Sequence, residues 1–176
     1  LKSNGQVYIY NPNGIVFGKT AQVNVNSLVA SSLKLDEQRF LDGMLSPGAA
    51  PNFALDSVGL GTGFIHGAVQ VEGERDGTRL QQAALTAQRN GLIMLVAPQV
   101  SNAGRLTAPD GQVILAAGSK VYLAAPADNT MRGLRVEVDS KGVSALAGAP
   151  AATNAALGQI TVQRGNISMI GLAVNQ

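Results

Sequence analysis

The chain has 176 residues, 45% apolar and only 14% charged, with 21 glycines, one histidine, no tryptophan and no cysteine. That length accommodates one well-buried core, and the richness in glycine and β-branched residues favours strands and turns over helices, which would need more Leu, Glu and Lys. A formal charge of +2 from scattered basic residues leaves no nucleic-acid footprint despite a pI of about 9.2; the lack of cysteine excludes disulfides and thiolate chemistry, and no apolar run approaches the ~20 residues that cross a bilayer.

In chain order, the densest instructions lie in Gln6 to Leu33, QVYIYNPNGIVFGKTAQVNVNSLVASSL. Val7 and Ile9 point one way and Tyr8 and Tyr10 the other. Asn11-Pro12-Asn13-Gly14 then turns the chain, Ile15-Val16-Phe17 is a brief extended run, Gly18-Lys19 turns again, and Val23-Asn24-Val25 alternates once more. In the first turn Pro12 sets φ at the first central position, asparagine tolerates left-handed geometry and Gly14 accepts positive φ. Asp36 to Leu45, DEQRFLDGML, places Phe40 and Leu41 ahead of Met44 and Leu45 at i, i+4 spacing; with Asp36 as N-cap and Glu37 in the first turn, a short helix is expected. Ser46 to Gly63 reads as a Pro/Gly loop, so residues 36–63 form one excursion from the main fold, and 147–158 form a similar one.

Alternating apolar pairs recur at Val23/Val25, Val69/Val71, Val113/Leu115, Val121/Leu123, Val136/Val138, Ile160/Val162 and Ile167/Met169, each predicting a short strand with one face inward. In the window Gly91 to Ala125 strands are expected to start near Leu92, Arg105, Gln112 and Lys120, steps too short for crossover helices. Asn90-Gly91 and Asp110-Gly111 could serve hairpins, but Val100-Ser-Asn-Ala-Gly104 and Ala117-Gly-Ser119 read as corners. Three strands plus corners give a turn of roughly twenty-odd residues, a solenoid period. The expected fold is all-β: a parallel β-helix with inward stacks of Val and Leu, corner asparagines bonding along the axis, and a short helix and loops outside it. Residues 1–176 read as one such domain, cut at both ends, since Leu1 is not Met and the final alternating run stops midway.

Candidate chemistry fails on spacing. Gly14-Ile-Val-Phe-Gly18-Lys19-Thr20 has three residues between its glycines where a P-loop needs four, and a strand-like segment follows instead of a helix. Glu72-Gly-Glu74-Arg-Asp76-Gly77 resembles the start of a calcium loop, but Ala83 stands where the bidentate carboxylate belongs, so a solvated turn is expected. His66 has no second histidine or cysteine for a zinc site, and Asp110, Asp128 and Asp139 lie singly, so neither catalytic residues, cofactor nor metal is expected. Tyr8, Tyr10 and Tyr122 could offer stacking surface to a glycan or host receptor. A polysaccharide lyase on the same scaffold would require converging carboxylates.

The stretch SNGQVYIYNPNGIVFGKTAQVNVNSLVASSL resembles the N-terminal secretion domain of two-partner secretion exoproteins, the filamentous-haemagglutinin-like adhesins of Gram-negative bacteria, and GLIMLVAPQVSNAGRLTAPDGQVILAAGSKVYL is similar to their repeated rungs. The resemblance implies a right-handed coil, non-enzymatic and monomeric, exported through the periplasm to the cell surface or medium. Its implied partner is an outer-membrane β-barrel transporter with periplasmic receptor domains, and it would head an adhesin, a cytolysin or a contact-dependent toxin. Asn11, Pro12, Asn13 and Gly14 match the family's motif and are the expected recognition and folding motif. The family's usual pattern has further strands and a second motif before this stretch.

Overall fold

The computed structural model describes residues 1–41, 50–56, 65–126, 133–139 and 151–175. Within them the chain winds through five turns. The first holds β1 (Gln6–Tyr10) and β2 (Ile15–Phe17). The second runs from β3 (Gln22–Val25) to β4 (Ser27–Ser31), leaves the coil through β5 (Lys34–Leu35), α1 (Glu37–Leu41) and β6 (Phe53–Ala54), and re-enters at β7 (Val69–Val71) before a hairpin of β8 (Gly73–Asp76) and β9 (Arg79–Gln82). The third, β10 (Ala84–Ala87), β11 (Leu92–Ala97) and β12 (Gln99–Asn102), is uninterrupted. The fourth, β13 (Arg105–Thr107) and β14 (Gln112–Ala117), leaves through β15 (Lys120–Ala124) and β16 (Arg135–Asp139) and closes with β17 (Ala151–Asn154). The last is β18 (Gln159–Thr161), β19 (Asn166–Ile170) and β20 (Ala173–Asn175).

Stacking these turns makes three parallel sheets: a first of β3, β10, β13 and β18, a second of β1, β4, β11, β14 and β19, and a third of β2, β7, β12, β17 and β20. Gln6 lies opposite Ser27, Ala84 opposite Arg105 and Leu92 opposite Gln112, so a turn without insertions advances the chain by 20 or 21 residues. The parallel β-helix expected from the sequence is therefore the fold. Because partners in register carry like side chains, the interior is built from columns such as Val7, Leu28, Ile93 and Val113, or Ile9, Ala30, Leu95, Leu115 and Met169. Full burial of each such Leu, Ile or Val contributes about 1.5–3 kcal/mol.

The corners have distinct chemistry. Between the first and second sheets, Asn26, Gly91, Gly111 and Gly165 lie one above the next. A Cβ on Gly111 would fall 1.9 Å from the Gly91 carbonyl oxygen, and one on Gly165 the same distance from that of Gly111. Asn90 and Asp110, with φ of 63° and 54°, precede two of these glycines. They close turns in which Gly91 donates to the Gln88 carbonyl and Gly111 to that of Ala108, at 2.9 and 3.1 Å. These dipeptides are corners between parallel strands and not hairpin turns. Between the third and first sheets, buried Asn102 donates from Nδ2 to Asn154 Oδ1 at 2.8 Å and accepts the Gly104 N–H at 3.1 Å, the axial asparagine pairing expected there.

Several expectations are corrected. Val100 to Asn102 belong to a strand, so the corner begins only at Asn102. Ala151–Asn154, expected inside the 147–158 excursion, pairs with Gln99–Asn102 as part of the coil; residues 147–150 lie outside the described set. The strand at Lys120 leaves the coil: β5, β6, β15 and β16 form a separate antiparallel sheet, so Val121/Leu123 and Val136/Val138 are not coil strands. This sheet covers the outer face of the second sheet. A second core results, in which Phe53, Val121 and Leu123 pack with Val29, Met94, Ile114 and Ala116. Strands β11 and β14 are therefore buried on both faces, whereas one face had been expected inward. Asn52 ties the two excursions together, donating its N–H to the Val121 carbonyl at 2.8 Å and accepting the Leu123 N–H on Oδ1 at 2.7 Å. The Asp36 carboxylate accepts the Arg39 N–H at 2.9 Å, the N-cap that was expected; the rest of the predicted helix, residues 42–45, is not described. Glu72 to Asp76, read as a turn, is largely strand: β8 pairs with β9 through a two-residue loop whose first residue, Gly77, has φ of 57°.

Candidate functional site

The Asn11-Pro12-Asn13-Gly14 turn joins β1 to β2 at the corner between the second and third sheets, on the first of the five turns described. Proline at the first central position and a short polar side chain before it favour this reversal. The Gly14 N–H donates to the Asn11 carbonyl at 3.0 Å, and the Asn13 N–H donates to Asn11 Oδ1 at 3.0 Å. Positive φ falls on Gly14, at 100°, and not on Asn13.

The turn is held from outside as well. Asn11 N–H donates to the Ser31 carbonyl in the next turn of the coil. Gly67 N–H donates to the Pro12 carbonyl at 2.9 Å, and Ile15 N–H to that of Ala68 at 3.0 Å. Contact is close enough to require glycine on both sides: a Cβ on Gly14 would lie 2.7 Å from the Ala68 oxygen, and one on Gly67 only 2.1 Å from the Asn13 oxygen. The motif therefore docks on the point where the long excursion re-enters the coil. Both asparagine side chains are exposed, and that of Asn13 has no hydrogen-bond partner among the described residues.

His66, just before this contact, is buried. Its Nδ1 lies 2.6 Å from the Ser32 carbonyl, and its Nε2 lies 3.2 Å from the Asp56 N–H and 3.0 Å from the Asp56 carbonyl. A serine, a histidine and an aspartate thus meet, but through main-chain groups. The Asp56 carboxylate lies 3.5 Å from Lys34 Nζ, and the Ser32 hydroxyl is buried with no partner among the described residues. This arrangement pins the excursion to the coil and does not set up a nucleophile. Sequence reasoning missed the role because its partners lie 34 and 10 residues away and offer only backbone.

Asp36, Glu37 and Asp56 line an open groove with Lys34, Leu35 and Leu55. Two of these carboxylates are already engaged, Asp36 as a helix cap and Asp56 beside Lys34. Tyr10 adjoins this pair: burial raises its phenol above the ordinary range, Asp56 adds to the rise and Lys34 opposes it. Among the described residues no group of three His, Asp or Glu side chains is arranged to hold a metal ion. Nor do the tyrosines converge. Tyr8 and Tyr10 stand on the outer face of β1, while Tyr122 stands on β15, opposite Glu137 of β16.

A parallel β-helix with inserted elements and a pinned NPNG corner is the class that fold and site define. The sequence model of the TPS secretion domain matches residues 1–172, and the chain belongs to that family. It is a secretion domain of a two-partner system of Gram-negative bacteria, a system in which the exported protein is served by its own outer-membrane transporter. No curated protein matches the sequence significantly. Among the described residues no helix is long and apolar enough to cross a membrane.

Proposed function

We propose that the chain is the transport signal of a large adhesin-like exoprotein, read in the periplasm by receptor domains of its transporter and wound into a coil once outside. The observation that carries this reading is the division of labour within the NPNG corner. Main-chain bonds to Ser31, Gly67 and Ala68 fix its shape, while the exposed Asn13 carboxamide is left for a partner. Before folding, the same stretch is an extended segment able to add as a strand to the edge of a receptor domain. If the chain crosses unfolded, the burial of the inward columns becomes available only afterwards, which makes export directional.

The test separates secretion from stability. Asn13→Ala, at an exposed side chain, is expected to change the unfolding free energy by less than about 0.5 kcal/mol; Asn11→Ala, which loses the bond to the Asn13 N–H, is expected to cost about 1 kcal/mol. Both should cut secretion in cells carrying the transporter by more than their stability loss explains. Secretion equal to that of the parent would sink the proposal.

A further inference from the structure

We propose that the outward face of the first sheet binds an acidic polysaccharide, one whose carboxylates alternate with hydroxyls along the chain. This surface is distinct from the NPNG corner and from the tyrosines. Its outward positions form two columns set by the register. Lys2, Asn24, Thr86, Thr107 and Thr161 follow one another from turn to turn, beside Gln22, Ala84, Arg105 and Gln159. Successive members stand about 4.8 Å apart, the distance between hydrogen-bonded strands. The alternate residues Val23, Leu85 and Leu106 are buried in the core, so the outward set is held flat by the strands beneath it. None of the polar side chains in the two columns has a hydrogen-bond or ion-pair partner among the described residues.

Charge selects the ligand. Lys2 and Arg105 stand on the face itself. At the corner shared with the second sheet, Arg89 and Arg164 both pair with the single carboxylate of Asp110, at 2.5 Å and at 3.1 and 3.2 Å, leaving an excess of positive charge there. The opposite corner is balanced, with Lys19, Arg75 and Arg79 against Glu72, Glu74 and Asp76. By contrast, the outward face of the third sheet carries Val16, Gln70, Ser101, Thr153 and Asn175 with no charge, and that of the second is largely covered.

Threonine hydroxyls and glutamine or asparagine amides both donate and accept, as sugar hydroxyls do, and a guanidinium pairs with a carboxylate in bidentate fashion. The face has no aromatic side chain. Stacking, which supports the binding of single-stranded nucleic acid, therefore has no platform here. A rigid face also loses little conformational entropy when it binds.

The test is a titration of the intact chain with oligogalacturonate, with neutral dextran oligosaccharides and with a single-stranded DNA oligonucleotide, all at one salt concentration. Saturable binding of oligogalacturonate is expected, at least about ten-fold tighter than that of dextran or DNA, since a charge-assisted hydrogen bond is worth more than the ten-fold step of 1.4 kcal/mol. Arg105→Gln should weaken it about ten-fold and Thr107→Val about five-fold, with the unfolding transition of each variant matching the parent's. If Arg105→Gln alters folding, Thr107→Val decides. Absence of saturable binding, equal affinity for DNA or dextran, or an unchanged affinity in Thr107→Val would each overturn the proposal.

Discussion

Two corners of the same coil are built on opposite plans. Where the first sheet meets the second, each turn rests directly on the one before through Asn26, Gly91, Gly111 and Gly165, and no insertion occurs. Where the second meets the third, the chain passes through Asn11 to Gly14, departs after Ser31, crosses briefly at Pro98, departs again after Ala117 and crosses at Gly171. Insertions accumulate where successive crossings differ and need not touch. The glycine column tolerates none, because its backbones are in contact at every level. The Asn11–Gly14 turn sits at the permissive corner, and there it supplies the contact that the insertions interrupt.

That contrast can be broken most severely at Gly111. Gly111→Ala forces a Cβ against the Gly91 carbonyl with backbone on both sides, and a loss of about 4 kcal/mol or more is expected in urea unfolding. An intermediate effect is expected for Gly14→Ala, about 2 kcal/mol, since its Cβ would meet the Ala68 oxygen at 2.7 Å, a milder overlap than the 1.9 Å at Gly111, with the strain of a positive φ added. A loss at Gly14 as large as that at Gly111 would show that the two corners are equally rigid.

The smallest effect concerns pH at the third corner, where Lys19 bonds Glu74. That hydrogen bond, with the lysine charge, holds the Glu74 carboxyl below its ordinary value. The pair's contribution is therefore present above the ordinary glutamate pKa of the unfolded chain and is lost as the pH falls through the lowered folded value. Comparing Glu74→Gln with the parent should show a slight difference in stability at neutral pH that vanishes in acid. A difference that grows on acidification would refute the assignment.

Much of the coil was legible because its third turn has no insertion, so the strand starts at Leu92, Arg105 and Gln112 display the period directly. The asparagine corner at Asn102 was legible for the same reason. The covering sheet was not. Alternation in Val121/Leu123 looks the same whether its inward face meets the coil interior or the coil's exterior; the usable signal was the unbroken apolar run in LIMLVA and in VILAA after Gln112, which marks a strand buried on both faces. AATN at Ala151–Asn154 has only one β-branched residue and hides its strand among small residues. The NPNG turn was read correctly as a reversal, but its docking on Gly67 and Ala68 depends on contacts across the whole excursion.

The covering sheet also sets a schedule. Its two halves come from separate excursions, and until β15 exists β6 has only the two-residue β5 to pair with. A chain that emerges from its N-terminal end therefore completes three turns of coil while Val29 and Met94 still face water. Closure waits for residues 120 to 139, when Val121 and Leu123 arrive beside Phe53 and Asn52. Such a distant pairing is slow to form, so the domain has an early state, wound but unclasped, that lasts until the residues from the end of β12 to the end of β16 have followed the third turn out.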